Sequence, residues 1–235
     1  MATMAPYLFR GLGEFPGSWF WDGWAYLSVG EAIWYFPRGG VATTDLSPLY
    51  QLGLLVARGR FLSSALIVEL QGILPLGGDS QNSVGYFLFL AVFVLATSMT
   101  ALARRLINDF PAHLCVPLLV TCSGPTLTLL HANNFDQLLI VALFPSLVTA
   151  AYVLEWRDLK GMILLGLIAA ATCYAYAELA ALFLLAPAAI LIQRWITEAP
   201  PSLQALGVMG VIILSSVIAL LPYLPTLIRI PLEQL

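Results

Sequence analysis

From Ser83 onward the chain is a succession of apolar runs, each long enough to cross a bilayer or nearly so, with charge confined to their ends. Residues 83–103, SVGYFLFLAVFVLATSMTALA, hold no charged residue and stop at Arg104-Arg105. A hydrocarbon core about 30 Å thick takes a helix of roughly 20 such residues. Within it every backbone N–H and C=O must find a partner inside the protein, which leaves helices as the natural fold for single-segment spans. Further runs follow at 114–130, 137–154, 161–176, 179–193 and 203–222. The expected fold class is therefore all-α: a polytopic membrane helix bundle of about six spans over residues 83–235. Composition agrees, with 60% hydrophobic and only 10% charged residues and a mean hydropathy of +0.89. A soluble domain carries roughly 25% charged residues. Nothing in the charge pattern points to nucleic acid.

Lys and Arg in short loops set orientation. Arg104, Arg105, Arg157, Lys160 and Arg194 fall at alternate ends of successive spans, so all five share one side, expected to be cytoplasmic. Residues 1–82, the turn His131–Asp136, the stretch Tyr174–Glu178 and the C-terminus then face out. Gly124-Pro125 marks a kink inside the second span. Cys115, Cys122 and Cys173 lie in apolar runs without metal-ligand spacing and read as small core residues.

Residues 1–82 form a different region, an outer-face loop with two interfacial helices at about 21–36 and 61–75. The first belongs to SWFWDGWAYLSVGEAIWYFPR (18–38), which contains four of the six tryptophans. Trp and Tyr at this density mark a membrane–water interface, since each ring has an apolar body and a polar tip. The second, FLSSALIVELQGILP, is too short to span and reads as interfacial or re-entrant, with Glu69 on a surface segment. No basic stretch followed by an apolar core opens the chain, so export of residues 1–82 is expected to need an upstream span, from a longer chain of which this is a fragment or from a membrane partner, or insertion of the first helices by another route.

The outer face gathers the polar residues that could do chemistry. Asp22, within the aromatic cluster, is the candidate catalytic base, able to take the proton of an acceptor hydroxyl as a bond forms; an apolar setting would raise its pKa toward that task. Asp is equally a common helix N-cap. Arg58 and Arg60 flank a glycine on the outer side and suit a phosphate oxygen, or lipid headgroups. His131, Asn133, Asn134 and Asp136 could bind sugar hydroxyls or a divalent cation, though Asn and Asp are also ordinary turn formers. Tyr174, Tyr176 and Glu178 stand where two short spans meet. Glu178 near membrane depth is functional or paired, or a helix N-terminal acid favoured by the dipole.

This layout resembles the GT-C-fold integral-membrane glycosyltransferases, the class that includes protein mannosyltransferases, aminoarabinose transferases and oligosaccharyltransferases. WDGWAY (21–26) stands where that family's outer loop begins with its acidic residue. Residues 23–36 and 61–75 look like its two interfacial helices, and SGPTLTLLHANNFDQLLIVALFPSLVTAAY (123–152) like its middle spans. The resemblance implies a polyprenyl-phosphate-linked sugar donor, an outer-face acceptor, Asp22 as base or acceptor-binding group and, in some members, a divalent metal such as Mg or Mn. It implies the bacterial inner membrane, with residues 1–82 on the periplasmic side. The chain is shorter than family members and lacks their first span. The alternative is a non-catalytic membrane subunit of a larger complex, consistent with Gly- and Ala-rich spans at 161–193 that permit close packing. A transporter would instead be expected to carry ionisable groups near the midplane of broken helices, and these spans are nearly free of charge.

Overall fold

The computed structural model of the chain describes residues 26, 27, 29, 62–73, 80–131, 134–198 and 202–221. It is an all-α bundle, with no strand among the described residues. Its helices are α1 (Leu62–Ile73), α2 (Ser80–Leu106), α3 (Phe110–Thr121), α4 (Gly124–His131), α5 (Phe135–Val153), α6 (Leu159–Ala175), α7 (Ala177–Glu198) and α8 (Ser202–Leu220). Tyr26, Leu27 and Val29 are helical too. The rest of the interfacial helix expected at 21–36 lies outside the described residues.

Four helices, α2, α5, α7 and α8, are long and apolar enough to cross a membrane alone; the bent pair α3–α4 makes a fifth crossing if taken as one. α6 is apolar but has 17 residues, at the lower limit for a span. The chain is an integral membrane protein. Its surface supports this: only 11% of the apolar window of α8 and 17% of that of α7 is buried within the protein. Leu203, Leu206, Ile213, Leu214 and Ile218 stay exposed on α8. In water such apolar faces would drive association; in lipid they are matched to the solvent.

α5 is the centre. Helices α1, α2, α4, α6 and α7 all pack on it, while α8 packs on α6. α2 and α7 run parallel to α5. Phe87 meets Phe135 near one end of the α2–α5 pair, and Ser98 Oγ lies 2.6 Å from Ser146 Oγ farther along. Phe144 meets Phe183 edge-on across α5 and α7, and Arg194 Nη1 donates to the Ala151 carbonyl at 2.8 Å. Two apolar clusters result. One joins Leu27, Ile67, Phe87, Leu88, Leu130, Phe135 and Leu138; the other joins Leu147, Ala151, Met162, Leu165, Leu191 and Val208.

α6 and α8 approach closely because residue 166 is glycine. A Cβ there would lie 1.9 Å from Ser215 Oγ and 2.7 Å from the Ile212 carbonyl oxygen. Ser216 Oγ donates to the Gly166 carbonyl at 3.0 Å, an interhelical bond of the kind that small residues make possible in membranes.

The second span breaks where Gly124-Pro125 predicts a kink. α3 and α4 are bent by 45°, and the break falls at Cys122–Ser123. Pro125 has no N–H to continue the helical ladder, and Ser123 restarts it as an N-cap, its hydroxyl accepting from the Thr126 N–H at 3.4 Å. Thr126 Oγ1 in turn donates to the Val120 carbonyl at 2.8 Å, which also accepts from the Ser123 N–H at 3.2 Å. Several boundaries differ from the sequence reading. α2 starts at Ser80, not Ser83. At 27 residues it is about 40 Å long, more than the roughly 30 Å of a hydrocarbon core. α7 continues to Glu198 rather than closing at Arg194, because Arg194 pairs with Glu198 one turn on, Nε to Oε1 at 2.6 Å, and this i,i+4 pair extends the helix. The cysteines need correction: Cys115 and Cys122 are exposed rather than in the core, and Cys173 is half-buried; all three are free. The apolar surroundings that suggested a core are in these two cases the lipid-facing surface of α3 and the turn that follows it.

Candidate functional site

The two ends of the bundle differ in chemistry. One is basic: Arg104 and Arg105 end α2, Arg157 and Lys160 flank the turn into α6, and Arg194 lies in the last turns of α7. Trp156 ties this end together. Its indole Nε1 donates to Glu198 Oε2, its carbonyl accepts from Gln204 Nε2 at 3.0 Å, and the Arg194 guanidinium lies 5.5 Å from its ring.

The opposite end holds the candidate site, built on Asp136. This residue is in the first turn of α5 and is fully buried at 0% exposure. One carboxylate oxygen accepts from Ser63 Oγ at 2.6 Å and the other from Tyr26 Oη at 3.0 Å. A carboxylate away from water must be hydrogen-bonded, and two hydroxyl donors together with the positive end of the α5 dipole meet that need. The Tyr26 ring stacks on Phe135 with centroids 4.9 Å apart. Three points far apart in sequence, Tyr26, Ser63 on α1 and the first turn of α5, thus converge on one acid. α1 contributes a buried side of Ser63, Ser64, Ile67, Val68 and Gln71 and leaves Glu69 exposed, as expected of a surface-facing position.

Of the residues singled out in the sequence, Asp136 is central. Asn134 is half-buried and caps α5 through its backbone, with no side-chain cap bond. His131 ends α4 and Glu178 is the second residue of α7; the side chains of both, like all of Asp22, Arg58, Arg60 and Asn133, lie outside the described residues. Tyr174 does not join Asp136. Its hydroxyl donates to the Ala219 carbonyl at 2.8 Å, satisfying one of the carbonyls that a helix C-terminus leaves open, so it ties α6 to α8. Tyr176 links α6 and α7 as a non-helical residue and packs against the same apolar cluster as Phe135.

Ser63 carries no sequence signal. It is one of two serines in an apolar run, 73 residues from its partner, and only folding reveals the contact. The helical period of α1 could have indicated that Ser63, Ile67 and Gln71 share a face, but not which acid they meet. Among the described residues no three His, Cys, Asp or Glu side chains gather as a metal set, and both oxygens of Asp136 are engaged by hydroxyls. These residues therefore do not fit a Mg or Mn site by themselves.

Compared against known protein families, curated proteins and solved structures, the chain matches none of them.

Proposed function

We propose that this chain is a GT-C-like membrane glycosyltransferase, or the membrane half of one, moving a sugar from a polyprenyl-phosphate carrier to an acceptor on the face where Asp136 lies. The supporting observation is the Tyr26–Asp136–Ser63 convergence. The clasp brings Tyr26, which follows Asp22 by four positions in the sequence, to Asp136, the last residue of HANNFD, and so supports a site at this end of the bundle.

In this reading Asp22 takes the proton of the acceptor hydroxyl. The hydroxyl oxygen attacks the sugar's anomeric carbon, and the bond to the donor phosphate breaks. Polyprenyl phosphate leaves with that bonding pair, its charge met by Arg58 or Arg60. His131, Asn133, Asn134 and Glu178 offer hydrogen bonds to sugar hydroxyls. Asp136 holds the site together, and no step is routed through a metal. The basic opposite end favours a cytoplasmic location for that end, with this face outside; the bacterial inner membrane is the compartment that the resemblance implies.

The test uses membranes enriched in the full chain and given radiolabelled polyprenyl-phosphate sugars. Label should leave the carrier lipid, and Asp22→Asn should abolish transfer while eluting as a folded protein. Undiminished transfer by that variant refutes the role of Asp22; label that never leaves the carrier refutes the activity. Gly207 and Gly210 on α8, where an added Cβ would meet nothing within 4 Å, favour a second reading, a non-catalytic subunit that packs against other membrane proteins through such small residues. It predicts that the chain is recovered only with such a partner.

A further inference from the structure

At the basic end, the last turns of α2 and α5 enclose a cavity of about 420 Å³ lined by Ala101, Arg104, Arg105, Thr149 and Val153. Both arginines are exposed, and neither guanidinium has an ion pair or hydrogen bond among the described residues. Thr149 adds a hydroxyl-bearing residue to the wall.

We propose that this cavity binds the phosphodiester headgroup of an anionic phospholipid from the leaflet on the basic side. Charge sets the sign of the ligand: Arg104 and Arg105 line the cavity and no carboxylate is among its described lining residues, which suits the phosphate oxygens of an anion. The two guanidinia follow each other on α2, about 100° apart around its axis, and both line the cavity, so they grip the phosphate from two sides. Ala101 and Val153 make the rest of the wall apolar. The neighbouring exposed side chains of Leu106 and Tyr152 offer an apolar path for the acyl chains to rejoin the bilayer. Basic pockets between spans on the cytoplasmic side are a recurring mode of lipid-headgroup recognition. This site is independent of the proposed sugar transfer, being at the other end of the bundle.

The experiment is native mass spectrometry of the purified full chain in detergent with phosphatidylglycerol or phosphatidylcholine added at equal mole fraction. The wild type should retain one phosphatidylglycerol and at least tenfold less phosphatidylcholine. The double variant Arg104→Gln/Arg105→Gln should lose that retention at least tenfold, while Arg104→Lys/Arg105→Lys, which keeps the charge, should recover part of it. Glycerophosphate or inorganic phosphate at the same concentration should not displace the lipid. Equal retention of the two lipids, equal retention by the glutamine variant with an unchanged melting temperature, or displacement by the free anions would each overturn the proposal. A glutamine variant that fails to fold leaves the decision to the wild-type lipid preference and the anion competition.

Discussion

Replacing Asp136 tests whether one buried acid fastens three segments. Asp136→Ala removes the acceptor of Ser63 Oγ at 2.6 Å and of Tyr26 Oη at 3.0 Å. In water-soluble proteins a hydrogen bond to a charged group contributes about 1.5–3 kcal/mol. Side-chain bonds in membrane proteins average about 0.6 kcal/mol and reach about 1.7, because the unfolded segments also find partners in the bilayer. Two bonds to a carboxylate, the one from Ser63 short at 2.6 Å, belong near the top of that membrane range, so the alanine variant should lose about 2–3 kcal/mol. Asp136→Asn keeps the shape and one acceptor oxygen, and should lose about 1 kcal/mol. Tyr26→Phe leaves the ring stacked on Phe135 and deletes only the hydroxyl, so a double-mutant cycle with Asp136→Ala isolates their bond at about 0.5–1.5 kcal/mol. The assay is reversible unfolding in mixed micelles, followed by tryptophan fluorescence. An alanine variant within about 0.5 kcal/mol of wild type, or a cycle with zero coupling, would refute the clasp.

Two other expectations follow from geometry already described. Gly166→Val should loosen α8 from α6, since even a Cβ would meet the Ile212 carbonyl oxygen at 2.7 Å; overpacking of this kind costs about 1–3 kcal/mol, readable as a lowered melting temperature, and an unchanged one would mean that the two helices do not meet at Gly166. In a background with Cys115, Cys122 and Cys173 replaced by Ala, Asn133→Cys should react with an impermeant maleimide from outside intact cells and Glu155→Cys only after permeabilisation. The reverse pattern would invert the orientation.

The fold was legible where physics acts locally. Apolar run length marks the spans because the bilayer imposes a minimum length on a helix, and Gly124-Pro125 announces the break because proline lacks an N–H. Helix ends were less legible. Ser80-Gln81-Asn82 looks like a loop but opens α2, a helix longer than the hydrocarbon core is thick. Arg194 looks like a stop but is held within α7 by Glu198 and the Ala151 carbonyl. At the site, Asp136 was legible as an acid beside a span, whereas Ser63 was not, since a serine in an apolar helix fits many neighbours equally. Tyr174 was grouped with the site by sequence proximity to Glu178, yet its hydroxyl serves the end of α8. The exposed cysteines show the same limit: apolar sequence around a residue does not say whether protein or lipid is the apolar medium.

The division of α5 between two apolar clusters has a consequence for the order of synthesis. Its first half packs mostly with residues that precede it, from Leu27 through Leu130, with Ala175, Tyr176 and Phe183 the later contributors. Its second half packs with Met162, Leu165, Leu191 and Val208, all of which follow it. As the chain leaves the ribosome, most of the first cluster can close once α5 has entered the membrane. The polar clasp would then be in place before α6, α7 and α8 exist. The later helices need only add to a half-finished scaffold, and a nascent chain stopped soon after Val153 would already hold every residue that Asp136 needs for its two hydroxyl bonds.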